Sequence, residues 1–236
     1  MNAHATHTYV LIHGGWHGGW VWRDVAAGLR AAGHDVTTPT LTGLGERRHI
    51  AQNADLETHI EDVLAHIEME GLTNVTLVGW SYGGSVITGV LARIPEKIKA
   101  MIYLDAFVPT DGKALADYVT PELLAAWEPH KAADKPLLPL PVDMLGLEDP
   151  AHVNLVTARL VHQPWRTFYQ PVKALKHWPD IPIAYIRCTG FEPSPFAYFE
   201  DVMKKDPKVR TDVIETGHSC MLTEPDETIR LLDKYG

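Results

Sequence analysis

The sequence predicts an α/β fold: a mostly parallel sheet of about six strands flanked by helices, with an inserted helical cap. Three observations lead there. Apolar, β-branched runs of strand length alternate with stretches of helical periodicity. One such run, Asn74-Val75-Thr76-Leu77-Val78, passes through Gly79-Trp80-Ser81-Tyr82-Gly83-Gly84 into the small-residue stretch 85–91, which reads as strand, sharp turn and helix. From Phe107 to Trp178 the character changes, because prolines recurring between Pro109 and Pro171 break the periodic runs. Residues 108–178 are therefore expected to form a cap subdomain inserted between two pieces of core, 1–107 and 179–236.

Taken in order, Thr8-Tyr9-Val10-Leu11-Ile12-His13 reads as a strand buried on both faces and ended by Gly14-Gly15. A loop carrying Trp16, His17 and Trp20 opens a helix that Gly33 stops, and residues 34–38 make a short second strand before Pro39. The glycine-containing segment 42–48 matches neither the phosphate loop nor the dinucleotide fingerprint and is expected to be a surface loop. Between residues 55 and 70, Leu56, Ile60, Val63, Leu64 and Ile67 fall on one helical face, with His59 and His66 expected at surface or boundary positions. The strand and helix around Ser81 follow, then a fourth strand from Lys99 that ends on Asp105. After the cap, residues 181–188 form a fifth strand, residues 196–205 a helix, residues 209–214 the last strand, and a final helix reaches Leu232. Catalytic groups in such sheets gather at the carboxyl ends of strands, where His13, Ser81 and Asp105 stand.

Bulk properties narrow the function. The chain has 236 residues, 45% of them hydrophobic, enough for one large core. Thirty acidic against 21 basic residues give a net charge of −9 with no concentrated run, which argues against nucleic acid as a partner. Two cysteines, Cys188 and Cys220, make no disulfide framework and suit a reducing compartment. The first residues show no basic and apolar leader pattern, and no apolar stretch approaches membrane-spanning length, so a soluble cytoplasmic protein without membrane contact is expected. Thirteen histidines invite a metal, but no H-E-x-x-H is present and His4, His7, His13 and His17 straddle a loop, a strand and a turn; no metal is expected.

A serine hydroxyl needs a base to become a nucleophile, and the base needs a carboxylate to fix its tautomer. Ser81, flanked by glycines in a strand-to-helix turn, is the candidate nucleophile, and His218, in Glu215-Thr216-Gly217-His218-Ser219 after the last strand, the candidate base. The backbone N–H groups of Tyr82, at a helix N-terminus, and of Gly15, where side-chain bulk is absent, are the candidate oxyanion donors.

Three segments in order, His13-Gly14-Gly15-Trp16-His17-Gly18-Gly19-Trp20, Gly79-Trp80-Ser81-Tyr82-Gly83-Gly84 and Gly217-His218-Ser219-Cys220-Met221-Leu222, give the chain a resemblance to the α/β-hydrolase fold superfamily. Within it, the sequence resembles the branch that holds plant methyl esterases, hydroxynitrile lyases and bacterial carboxylesterases, including pyrethroid-type hydrolases. The likeness spans residues 7–107 and 181–235 and is weak in the cap. It implies Ser81 as nucleophile, His218 as base, Gly15 and Tyr82 as oxyanion donors, and a possible homodimer. In the plant members the triad acid follows a Cys-Thr pair, whereas here Cys188-Thr189-Gly190 leads to Phe191. The place of Asp105 is typically alanine in those members. Asp105 is therefore the expected acid, in a position similar to that of pancreatic-type lipases, with Glu192 as the alternative.

The expected activity is hydrolysis of a small-molecule carboxylic ester through an acyl-enzyme, with no cofactor. Trp16, Phe107, Trp127 and Trp165 are the candidate substrate-binding residues and, with Trp20, Phe168 and Tyr169, favour an apolar or aromatic ester, although the same aromatics could simply pack the cap onto the core. Three other readings remain. A hydroxynitrile lyase would carry a threonine and a lysine where Gly14 and Ser219 stand; a cofactor-free dioxygenase and a non-catalytic small-ligand receptor also occur on this fold.

Overall fold

Six short runs of alternating inward residues pair into one all-parallel sheet in the order β2-β1-β3-β4-β5-β6, comprising β1 (Thr8–Ile12), β2 (Asp35–Thr37), β3 (Val75–Ser81), β4 (Ile98–Ala106), β5 (Ile183–Cys188) and β6 (Val209–Ile214). The computed structural model describes residues 6–50, 53–190 and 194–236. Because side chains alternate across a strand, each central strand feeds two cores. Val10, Ile12, Leu77, Met101, Tyr103 and Tyr185 face one side. Tyr9, Leu11, Val78, Trp80, Ile102, Leu104 and Ile186 face the other.

The second face is covered by α1 (Arg23–Ala31) and the C-terminal α9 (Pro225–Tyr235), which bring Val25, Leu29, Leu231 and Leu232. The first is covered by α2 (Leu56–Met69) and α3 (Gly83–Arg93). Asp55 starts α2 as a capping box: its Oδ1 accepts the Thr58 N–H at 2.8 Å while the Thr58 hydroxyl accepts the Asp55 N–H at 3.3 Å. Between β4 and β5 lie α4 (Pro121–Ala132), α5 (Pro150–Thr157) and the single turn α6 (Arg166–Tyr169). Here prolines begin helices as well as interrupt them, since Pro121 and Pro150 occupy first-turn positions after Thr120 and Asp149, whose side chains cap the exposed amides. The chain finishes through α7 (Phe196–Met203), the short α8 (Cys220–Thr223) and α9. No helix among the described residues is long and apolar enough to cross a membrane.

Two local expectations change. His59 is not at the surface but wholly buried: its Nε2–H donates to the Thr42 carbonyl at 2.8 Å and its Nδ1 accepts the Tyr82 hydroxyl at 2.8 Å, the two bonds an imidazole needs to leave water. His66 is half-buried against the Thr37 hydroxyl. The segment 42–48 turns into a 3-10 helix (Gly45–Ile50), with the Thr42 N–H, the Thr42 hydroxyl and Arg47 all bound to Asp62 at 2.6–3.1 Å.

The start of α3 lies so close to the end of β4 that a Cβ on Gly84 would come 2.1 Å from the Phe107 carbonyl oxygen and 2.9 Å from the Ala106 Cβ. Gly84→Ala should therefore destabilise the protein by about 1–3 kcal/mol by overpacking, instead of giving the modest gain usual for a helical glycine. Urea denaturation measures this, and an unchanged or raised midpoint would contradict it.

Candidate active site

The carboxyl ends of β1, β3 and β4 converge on Ser81. This serine has φ +56°, a left-handed conformation that L residues seldom adopt. Its glycine neighbours are imposed by backbone contacts: a Cβ on Gly79 would sit 2.7 Å from the Gly83 carbonyl, and one on Gly83 would sit 2.7 Å from the Ile12 oxygen and 2.9 Å from that of His13. With no room for those side chains the chain reverses directly from β3 into α3, and Tyr82 stands at the helix N-terminus with its N–H on the side of positive helix potential.

Asp105 owes its aim to an irregularity in β4. The ladder pairs Trp80 with Leu104 and Ser81 with Ala106, so Asp105 is the extra residue of a bulge, at φ +43°. Fully buried, it accepts the Nδ1–H of His218 on Oδ2 at 2.6 Å and the backbone N–H of Cys188 on Oδ1 at 3.1 Å. Burial pushes the Asp105 carboxyl above its ordinary value, while His218, the Cys188 amide and the Arg187 charge pull it back. The His218 ring stacks on Phe196 at 4.8 Å and packs against Trp80 at 4.9 Å, and the Trp80 indole N–H donates to the His218 carbonyl at 2.9 Å. Glu192, the alternative acid, and Phe191 lie outside the described residues.

The loop after β1 completes the arrangement. Gly14 lets it approach Ser81, since a Cβ there would lie 2.9 Å from the serine Cβ. His13 accepts the Leu41 N–H on Nε2 at 3.1 Å, which leaves its Nδ1–H to donate to the Gly14 carbonyl at 2.8 Å. In a trans peptide the N–H opposes the carbonyl, so the Gly15 N–H points away from His13. His17 Nδ1–H holds the Gly15 carbonyl at 2.6 Å. Burial lowers His13 to about 4 and His17 to about 3, so both rings are neutral at physiological pH.

Gly15, Ser81, Tyr82 and His218 line one cavity of about 760 Å³ together with Trp16, Phe107, Trp127, Phe168, Phe196 and Tyr198. Trp165 is not part of that lining: its indole N–H is bound to Asp134 at 2.8 Å and Arg166 lies over its ring, which makes it a half-exposed brace on the outer side. Phe196 and Tyr198 were beyond the reach of the sequence because no motif surrounds them. A larger, shallower groove of about 970 Å³ runs along α2, but its carboxylates are engaged, Glu57 and Glu61 by Arg93 and Asp62 by Arg47. His7, His34 and Asp233 lie close enough together to suggest a metal, yet His34 accepts the His7 N–H on Nδ1 and donates Nε2–H to Asp233, so neither ring nitrogen offers a free lone pair.

Comparison with known proteins places the chain among alpha/beta hydrolases. A model of the alpha/beta hydrolase family matches residues 9–231. A carbendazim hydrolyzing esterase from Nocardioides sp. (strain SG-4G) is 41% identical, covering 97% of this chain and 99% of its own. Among solved structures, an extracellular alpha/beta-hydrolase from a Paenibacillus species, described as sharing structural and functional homology with tobacco salicylic acid binding protein 2, superposes with a TM-score of 0.87 at 27% identity, covering 98% of this chain and 99% of that one. A pyrethroid hydrolase superposes with a TM-score of 0.74 at 20% identity, over 98% of this chain and 97% of the other, a likeness of fold.

The buried imidazoles set an acid limit on stability. His13, His17 and His59 have folded-state values of about 4, 3 and 4, below the ordinary 6.5. The unfolded chain therefore takes up protons that the folded one refuses as pH falls below 6.5, and stability present above that pH is lost on the way toward 4. Unfolding free energy measured in urea should drop between pH 6.5 and 5, by up to about 1.4 kcal/mol per pH unit for each ring. A flat profile over that window would show that these rings do not stay neutral.

Proposed function

The chain belongs to the alpha/beta hydrolase family and is an ester hydrolase, and we propose that it works as a serine carboxylesterase on apolar or aromatic esters. The observation that carries this reading is the hydrogen-bonded Asp105–His218 pair at the wall of the cavity that Ser81 also lines. In the proposed cycle Ser81 Oγ attacks the ester carbonyl and its proton passes to His218 Nε2. Asp105 keeps the proton of His218 on Nδ1 and offsets the positive charge that develops on the ring. The carbonyl oxygen, now an anion, is met by the N–H groups of Gly15 and Tyr82. His218 then protonates the departing alkoxide, and water resolves the acyl-enzyme by the reverse route; no cofactor takes part.

The aromatic lining from Trp16, Phe107, Trp127, Phe168 and Phe196 supports a flat or apolar substrate, and carbendazim, on which the Nocardioides relative acts, belongs beside aryl esters in the first panel. Gly14 and Ser219 speak against lyase chemistry, since they offer neither the threonine hydroxyl nor the lysine cation that cyanide chemistry uses at those places. We place the enzyme in the cytoplasm, a setting that suits the buried thiols Cys188 and Cys220.

Ser81→Ala should lower kcat on the order of 10⁴-fold or more and abolish labelling by a fluorophosphonate, with the thermal transition preserved. Asp105→Asn should lower kcat on the order of 10⁴-fold by presenting the wrong imidazole tautomer, while Glu192→Gln stays near wild type. Steady-state kinetics on an aryl ester decides; an active Asp105→Asn beside an inactive Glu192→Gln would move the acid to the later strand.

A further inference from the structure

We propose that Gln163, in the segment between β4 and β5, is a positioning residue for the oxyanion hole, holding Trp16 and through it the Gly15 amide in place. The inference rests on the serine-esterase reading above.

The loop residue Trp16 has φ +63°, an unfavourable conformation for an aromatic residue that the surroundings must enforce. Both of its backbone polar groups are held by one strap of the insertion. Its N–H donates to Gln163 Oε1 at 2.8 Å, and its carbonyl accepts the Val161 N–H at 3.0 Å. Gln163 is itself fixed. It is fully buried, and its backbone exchanges two hydrogen bonds with Leu137, at 2.8 and 3.0 Å. The Thr167 hydroxyl spends its hydrogen on the Pro164 carbonyl at 2.6 Å, so it accepts the Gln163 Nε2–H at 2.7 Å, and this determines which end of the side-chain amide faces Trp16.

The consequence falls on Gly15. The peptide before it is pinned by His13 through the Gly14 carbonyl, and the peptide after it by His17 through the Gly15 carbonyl and by Gln163 through the Trp16 N–H. With both planes held, φ and ψ of a residue that otherwise moves freely are determined, and so is the direction of its N–H. The histidine pins belong to the loop itself; Gln163 is the side-chain pin that ties the loop to the insertion. The same strap reaches the second donor. The Phe168 ring packs 5.1 Å from that of Tyr82 and fills the space where a Gly15 side chain would stand, its Cζ 2.7 Å from that Cβ place. A donor displaced from the site of the developing anion loses most of its effect on the transition state while substrate binding is little changed.

Gln163→Met keeps the volume and removes both hydrogen bonds. The expected result is a kcat lowered about 10- to 100-fold with KM within about 3-fold, the pattern of an interaction made in the transition state. The second readout is an aryl trifluoromethyl ketone, whose carbonyl carbon bonds to Ser81 Oγ as the serine proton moves to His218, placing the former ketone oxygen where the anion forms. Its affinity should fall in parallel with kcat, whereas the corresponding secondary alcohol, which makes no adduct, should bind as it does to the wild type. Gln163→Glu retains an acceptor for the Trp16 N–H and should recover most of the loss, and Thr167→Val should show a smaller loss of the same kind. A merely structural Gln163 would shift ketone and alcohol affinity equally or leave kcat unchanged in folded protein, and either result overturns the proposal; if Gln163→Met does not fold, Thr167→Val and Gln163→Glu decide by the same ratios. A wild type that neither turns over an ester nor binds the ketone would instead overturn the esterase reading itself.

Discussion

The site depends on a reversal of the backbone that leaves no space for side chains. At Ser81 the chain leaves β3 and enters α3 in a single left-handed residue, and the approach of α3 to the ends of β1 and β4 is close enough that Gly79, Gly83 and Gly84 all face backbone atoms within 3 Å of where a Cβ would be. The Phe107 N–H donates to the Ser81 carbonyl at 3.1 Å, so the turn is tied to the exit of β4 as well. A conformation that costs on the order of 1–2 kcal/mol in an isolated chain is thus over-determined by its surroundings. The same tightness draws Gly14 against the serine, so one constraint sets both the exposed hydroxyl and the loop that faces it.

The second demanding feature is a carboxylate with no access to water. Asp105 is compensated from two neighbouring directions, by the β5 amide of Cys188 and by the imidazole of His218, and the Arg187 charge adds to both. The bulge that skips Asp105 in the ladder of β4, the strand beside β3, turns its side chain out of the alternation and toward the His218 ring.

Much of this was legible in the sequence because its causes are local. The glycine turn, the strand runs and the position of His218 after β6 are written in adjacent residues, and Asp105 stood out as a charge at the end of an apolar run. What was not legible depends on partners remote in the chain. His59 reads as a polar residue on an amphipathic helix, and only its bonds to Tyr82 and Thr42 explain its burial. Trp165 reads as one more aromatic near a pocket, but Asp134 and Arg166 hold it on the outside. Gln163 has no motif at all; its meaning comes from Trp16, 147 residues earlier.

The histidines near the cavity show how such long-range bonds give one residue type different surroundings. His13 has both nitrogens engaged by backbone groups of its own loop and of Leu41, and His59 both by Thr42 and Tyr82. His17 gives one nitrogen to Gly15 and is held neutral to about pH 3 by burial. Each is paired with carbonyls, amides or a phenol, none of which can balance a positive ring. Among the described residues at the cavity, His218 alone joins a carboxylate, so it is the one imidazole there whose protonated form would have a charged partner. The neutral rings of His13 and His17 hold the loop after β1, and the paired ring of His218 faces a carboxylate. The same residue type thus stands in two electrostatic settings here, separated by hydrogen-bond partner.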